Sequence, residues 1–234
     1  MEIDGAVCLV TGANRGLGEA YVRALLGTGA AKVYAGARVP ESITVAGVTP
    51  VGLDITDGGQ VERAAELCAD VTVLINNAGI NLGTRPLADN ALDAARREME
   101  TNYFGTLNMC RAFAPILAKN GGGALVNVLS VLSWFAGPTN GTYCSSKAAE
   151  WLLTNAIRVQ LRGQNTLVIG VHASFIDTDM SRAVTGFPKV SAHSVAEQTL
   201  AAIKHGREEV LADDRTRQVK ASLSNDLNAF HATH

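Results

Sequence analysis

The feature that most constrains the fold is an alternation. Short, β-branched apolar runs recur along the chain, and longer stretches of helical periodicity separate most of them. AVCLVTG reads as a buried strand and GEAYVRALLGTG as a helix closed by glycine. AKVYAGAR and VTPVGLDIT read as the second and third strands, DGGQVERAAELCAD as a helix and VTVLINNAG as the fourth strand. Residues 89 to 118 read as one long helix, GGALVNVLS as the fifth strand, residues 142 to 163 as a helix and NTLVIGVHA as the sixth strand. SVAEQTLAAIKHG then gives a helix and EEVLAD a short strand before a polar tail. Strands that are apolar almost throughout are buried on both faces, which is the condition of a parallel sheet covered by helices on each side. The expected architecture is an α/β, doubly wound parallel sheet of about seven strands. In such sheets a ligand binds beyond the carboxyl ends of the strands, where strand order reverses.

Composition narrows the partner. A chain of 234 residues that is 47% apolar and 18% charged has enough material for one large core, and no linker, repeat or low-complexity tract divides it, so residues 1–234 are expected to form one domain. A net charge of −2 argues against nucleic acid or an anionic membrane as partner and for a small molecule. The opening MEIDGAVCLV carries no pattern of a secretory leader, and no apolar run is long enough to span a bilayer, so a soluble, cytoplasmic protein is expected. Cys8, Cys68, Cys110 and Cys144 lack metal or redox spacing and are expected to be reduced core thiols. None of the five histidines has metal-ligand spacing, so no metal is expected.

Between the first strand and helix lies TGANRGLG, residues 11 to 18, with Gly12, Gly16 and Gly18 in a G-x-x-x-G-x-G pattern. Glycine there lets the backbone turn tightly and approach a pyrophosphate, whose charge the helix N-terminus favours. The second strand ends without a carboxylate for a ribose diol. It ends at Arg38, and Arg15 stands inside the glycine loop, so two guanidiniums are available to clamp a 2′-phosphate and NADP is expected over NAD. Asp54, after the third strand, is either an adenine-side contact or a turn residue.

The stretch TYCSSKAAEW sets Tyr143 and Lys147 four residues apart at the start of a helix, hence on one face. A cation beside a phenol favours the phenolate and lowers its pKa, which makes a general acid and base. Ser130 ends the fifth strand, within reach of that helix start, and Asn102 is a polar amide inside the long helix. Taken singly, each has an ordinary structural explanation.

Together they resemble the short-chain dehydrogenases and reductases, carbonyl reductase-like members included, over roughly residues 5 to 212. The resemblance rests on TGANRGLG, on NNAG at 76 to 79, on Asn102, on Ser130 thirteen residues before Tyr143, and on the Tyr143–Lys147 pair. It implies a Rossmann-type fold and hydride transfer between nicotinamide and a carbonyl or alcohol carbon, with Tyr143 as acid and base. Ser130 would hold the substrate oxygen, Lys147 would bind the nicotinamide ribose and lower the tyrosine pKa, and Asn102 would support a water-linked proton relay. The implied NADP(H) contacts are Gly12, Asn14, Arg15, Gly16, Leu17, Gly18, Arg38, Asp54, Ile55, Asn77, Ala78, Gly79, Tyr143, Lys147, Ile176 and Thr178. A homodimer or homotetramer paired through residues 89–118 and 142–163 is also implied. A nucleotide-binding regulator without turnover is the alternative.

The chain departs from the family in several places. Ala173 and Ser174 replace the usual Pro-Gly after the sixth strand, adding a hydroxyl near the site. Leu129 precedes Ser130 where a second serine is common, and Ser133 is a competing hydroxyl. VPESITVAG is too short for a full helix, and no Asp-Gly-Gly follows the last strand, the chain ending in DLNAFHATH. Leu132, Trp134, Phe135, Phe175, Met180 and Phe187 are either the wall of a pocket for a hydrophobic ketone, aldehyde or alcohol, or ordinary core. Residues 181 to 192 are short for a substrate lid, which implies a small or open pocket.

Overall fold

A computed structural model of the chain describes residues 1–223; the terminal DLNAFHATH lies outside the described residues. The apolar runs form strands β1 (Val7–Thr11), β2 (Lys32–Ala37), β3 (Thr49–Gly52), β4 (Val73–Asn76), β5 (Gly123–Val128) and β6 (Thr166–His172), and β9 (Glu209–Leu211) closes the sheet. Strand order is β3-β2-β1-β4-β5-β6-β9 and every pairing is parallel. This is the doubly wound, Rossmann-type sheet expected from the alternation. Its order reverses between β1 and β4, so a crevice opens at Thr11 and Asn76.

The two-residue period of a strand divides the core. Cys8 and Val10 of β1, Val73 and Ile75 of β4 and Ala124 and Val126 of β5 face one apolar cluster, which includes helices α1 (Gly16–Gly27) and α6 (Ala192–His205). Leu9, Leu74 and Leu125, the intervening residues, face the other, beneath α2 (Gly58–Leu67), α4 (Thr106–Lys119) and α5 (Gly141–Leu161). Tyr21 and Thr199 join α1 to α6 through a buried hydroxyl pair at 2.9 Å.

The long helix expected over residues 89 to 118 begins as α3 (Ala91–Glu98), widens into a π segment at Met99–Gly105 and continues as α4. A π turn takes in an extra residue and marks functional sites with some regularity. Here it contains Asn102, which is fully buried, and it brings Gly105 so close to Ile55 that a Cβ would stand 2.7 Å from that side chain. The expectation of a plain α-helix is therefore corrected over those seven residues.

VPESITVAG makes a single 3-10 turn at Pro40–Ser42, as its length required. Two elements went unpredicted. A short parallel pair, β7 (Ile176–Asp177) with β8 (Val190–Ser191), ties down the segment after β6, and a last helix, α7 (Asp214–Ser222), follows β9. No helix among the described residues is long and apolar enough to cross a membrane.

Candidate active site

The crevice at the strand-order reversal is built on glycine. Gly12 and Gly16 have φ of +63° and +55°, a region that costs other residues strain. An ideal Cβ on Gly18 would stand 2.1 Å from the Gly12 carbonyl oxygen, so α1 and the loop touch backbone to backbone. Asn77 holds that loop, its amide donating to the carbonyls of Thr11 at 2.9 Å and Gly12 at 3.2 Å. The Thr11 hydroxyl accepts in turn from the amides of Asn77 and Ala78, both at 3.0 Å. Arg15 stands at the N-terminus of α1 without a side-chain cap, so no side chain of that residue competes for the first-turn amides. These features fit a pyrophosphate.

Arg15 and Arg38 are both exposed at the rim, and the Arg15 guanidinium lies 3.9 Å from the Asp179 carboxylate. Across the crevice the Thr178 methyl would meet a Cβ on Gly16 at 3.3 Å. A cavity of about 310 Å³ follows this contact, lined by Gly16, Asp177, Thr178, Asp179, Arg182 and Lys189. Ile176 and Thr178 thus lie beside the glycine loop. Asp54 uses Oδ1 to accept from the Thr56 amide and hydroxyl, at 3.0 and 2.8 Å, a turn role. Ile55 is buried, and its carbonyl accepts from the Asn108 side chain.

The second half of the site lies at the carboxyl ends of β4 and β5. Ser130 caps a short turn, Val131–Ser133, its Oγ accepting from the Leu132 amide at 3.1 Å. Ser133 accepts from the Ser130 amide at 3.3 Å. It therefore fixes the backbone of Ser130 and does not compete with its hydroxyl. Tyr143, in the first turn of α5, is buried, and the Ser130 side chain favours its charged form. Lys147 lies one turn on, its Nζ 6.0 Å from the tyrosine ring centroid. Asn102 grips Ile80 at both ends, accepting from its amide at 2.8 Å and donating to its carbonyl at 2.9 Å, and it also donates to Ser146 of α5. Gly79 sits between them: a Cβ there would lie 3.1 Å from Asn102 Oδ1 and 3.6 Å from Lys147 Nζ.

The electrostatics correct one expectation. Tyr143 is raised above the ordinary phenol value, first because it is buried; the Lys147 cation pulls it down, and the Glu150 carboxylate opposes that pull. Glu150, which sequence reasoning missed, accepts from Lys147 Nζ at 2.7 Å, and the two side chains are 1% and 6% exposed. Burial lowers Lys147, but Glu150 and Tyr143 outweigh it and leave it raised, so it stays a cation. A glutamate three residues after a lysine on a largely buried helix face was the available signal.

Ser174 is a second correction. Its amide and hydroxyl both donate to Asp213, at 2.8 and 2.9 Å, so the hydroxyl anchors α7 and is not offered to the site. The apolar pocket set also divides. Trp134 stacks on His172 at 4.0 Å and packs with Val131 and Val219, with Leu132 and Phe135 against the same cluster, because the turn after Ser130 carries them toward α7. Phe175 and Phe187 pair at 5.4 Å beneath Arg215, and Met180 is exposed. His172 ends β6 and its Nδ1 meets the Ser130 carbonyl at 3.0 Å. The four cysteines are buried and unpaired, and burial alone pushes Cys8 up to about 12.

Residues 6–188 match the family model of the short chain dehydrogenases. The chain belongs to that family. Among solved structures it is similar to a short chain dehydrogenase from Burkholderia cenocepacia J2315 in complex with NADP. The two are 44% identical with a TM-score of 0.94, over 99% of this chain and 98% of that one. An NADP-dependent 3-hydroxy acid dehydrogenase of Schizosaccharomyces pombe is 30% identical over 76% of this chain and 74% of its own length. The human L-xylulose reductase is 32% identical over 79% and 77%. The short-chain dehydrogenases are oxidoreductases of hydroxyl and carbonyl groups.

Proposed function

We propose that this short-chain dehydrogenase reduces a hydrophobic ketone or aldehyde with NADPH, Tyr143 acting as general acid. The observation that carries this reading is that Asn102 and Lys147 converge on Gly79, with Tyr143 one turn before Lys147 on α5 and the Ser130 side chain acting on Tyr143, beside a glycine loop shaped for a dinucleotide. NADP(H) is the cofactor. Arg15 and Arg38, with no carboxylate at the end of β2, support that choice, as does the NADP held by the Burkholderia relative. Gly12, Asn14, Arg15, Gly16, Leu17 and Gly18 hold the pyrophosphate side, Arg38 the 2′-phosphate, and Asp54 and Ile55 the adenine. Asn77, Ala78, Gly79, Ile176 and Thr178 line the nicotinamide end.

When bound, the cofactor supplies the hydride that adds to the carbonyl carbon. Ser130 donates a hydrogen bond to the carbonyl oxygen and orients it toward Tyr143. The Tyr143 O–H bond breaks and its proton joins that oxygen, so ketone, hydride and proton become alcohol. Lys147 offsets the phenolate left behind, which then regains a proton from solvent along the side that Asn102 borders. Leu152 and Val159, exposed on α5, support pairing of subunits as a homodimer or homotetramer.

The test is a titration with NADPH and NADH followed by nicotinamide fluorescence, then a carbonyl screen with wild type and Tyr143→Phe. Tight NADPH binding in both proteins, with turnover lost in the variant, is expected. Binding without turnover of any carbonyl would favour a nucleotide-binding regulator, and turnover retained by Tyr143→Phe would remove Tyr143 from the chemistry.

A further inference from the structure

The residue that the proposed chemistry leaves unused is Glu150. Its carboxylate is buried inside the protein, one turn beyond Lys147 and two beyond Tyr143 on α5, with Oε2 2.7 Å from Lys147 Nζ and Oε1 3.3 Å from the Thr106 hydroxyl of α4. Stability does not call for it. A buried ion pair recovers little more than its own desolvation cost, and an apolar pair of the same volume often serves a fold as well or better. A carboxylate kept there against that cost acts on its neighbours.

Those neighbours are few. The groups whose charge acts on Tyr143 are Lys147, Glu150 and Cys144, all on α5. From α4, Cys110 faces Glu150, and burial holds that thiol neutral, pushed up to about 12. From α3, Glu98 faces Cys144. From the sheet, the Val128 carbonyl of β5 accepts from Lys147 Nζ at 2.9 Å, and the neutral Asn127 amide bonds Cys110 and Thr154. Of the three donors on that ammonium, one meets Glu150 and one meets Val128. The third is left for the space that Gly79 keeps open by having no side chain.

We propose that Glu150 is a positioning residue: it fixes the Lys147 ammonium with one donor free toward Gly79 and leaves the lysine–glutamate pair beside Tyr143 without net charge. This rests on the reading of Tyr143 as the proton donor. A lysine alone beside the phenol would release the tyrosine proton early and favour the base needed for alcohol oxidation. With the carboxylate behind it the pair carries no net charge, and the acid needed for carbonyl reduction persists.

The experiment compares wild type, Glu150→Gln, Glu150→Met and Glu150→Asp, each with and without Tyr143→Phe. Two readouts are taken against pH: the phenolate absorbance that disappears with Tyr143→Phe, and kcat/KM for carbonyl reduction. Removing the negative charge favours the phenolate, so the Gln and Met variants should shift both transitions down by about one pH unit. Glu150→Asp keeps the charge and should stay near wild type. The Met variant fills the volume without polarity, so misfolding of one neutral variant leaves the other to decide. Transitions that stay in place while thermal stability falls would overturn the proposal and leave Glu150 a packing residue. Turnover that survives Tyr143→Phe would sink the proposed function instead, and the absorbance titration would still decide the coupling.

Discussion

Gly18 and Gly12 touch so closely that a methyl group on Gly18 would stand 2.1 Å from the Gly12 carbonyl oxygen. The obstacle is backbone, and Asn77 holds that same carbonyl at 3.2 Å, so the loop has nowhere to retreat. Gly18→Ala should cost about 1–3 kcal/mol of stability, the usual range for overpacking, and weaken NADPH at least tenfold. Gly58→Ala, at a position where a Cβ would meet nothing within 4 Å, is the control and should leave both unchanged. Thermal melts and fluorescence titrations of the two variants make the comparison. Equal behaviour would mean that the loop is not the dinucleotide cradle.

Arg38 stands exposed at the end of β2, where the family of folds places its nucleotide-selecting residue. A guanidinium–phosphate contact is worth about 1.5–3 kcal/mol, and a carboxylate in its place adds repulsion. Arg38→Asp should therefore weaken NADPH by roughly 10- to 100-fold and leave NADH nearly unaffected. Equal losses for both nucleotides would remove Arg38 from phosphate recognition and leave Arg15 to carry it.

Much of this could be read before any coordinates, and the reasons are local. Leu9 between Cys8 and Val10 is as apolar as they are because both faces of the sheet are covered, which is what betrays a parallel sheet. Ser130, Tyr143 and Lys147 each have an ordinary explanation at a strand end or helix start, and only their order and spacing together, as a resemblance to the family, raised the expectation of a site. The π segment around Asn102 was not, since one extra residue in a turn leaves the apolar period almost intact. Glu150 was passed over because a glutamate in a helix is nearly always solvated. Ser174 was misjudged because its partner, Asp213, lies on a distant loop that periodicity cannot connect to it.

His172 is buried beside Trp134, and burial, the dominant influence, pulls its pKa down to about 4 although the Ser130 carbonyl and Glu209 pull the other way. The unfolded chain then takes up a proton near the ordinary histidine value of 6.5 while the folded chain does not. Its contribution is complete above about pH 6.5 and is lost as pH falls toward about 4, by up to about 3 kcal/mol. Urea melts of wild type should weaken across that window, and those of His172→Gln should weaken less by the same amount. Parallel pH dependence in the two proteins would mean that another group governs the acid limb.

Asp213 joins three pieces of chain. Its carboxylate accepts from the Ser174 amide and hydroxyl at 2.8 and 2.9 Å, and from the amide and hydroxyl of Thr216 in the first turn of α7, both at 2.9 Å. It is thus the N-cap of α7 and also the anchor of the loop that holds Ser174. Losing a cap costs about 0.5–2 kcal/mol, and the stranded Ser174 amide adds to that, so Asp213→Ala should destabilise by about 2 kcal/mol. Asp213→Asn, which keeps an accepting oxygen, should recover part of it. The same loop leads into Ile176 and Thr178, and Thr178 rests against Gly16. If the anchor sets that approach, Asp213→Ala should also raise KM for NADPH several-fold with kcat little changed. A variant that loses stability but keeps its KM would confine Asp213 to holding α7.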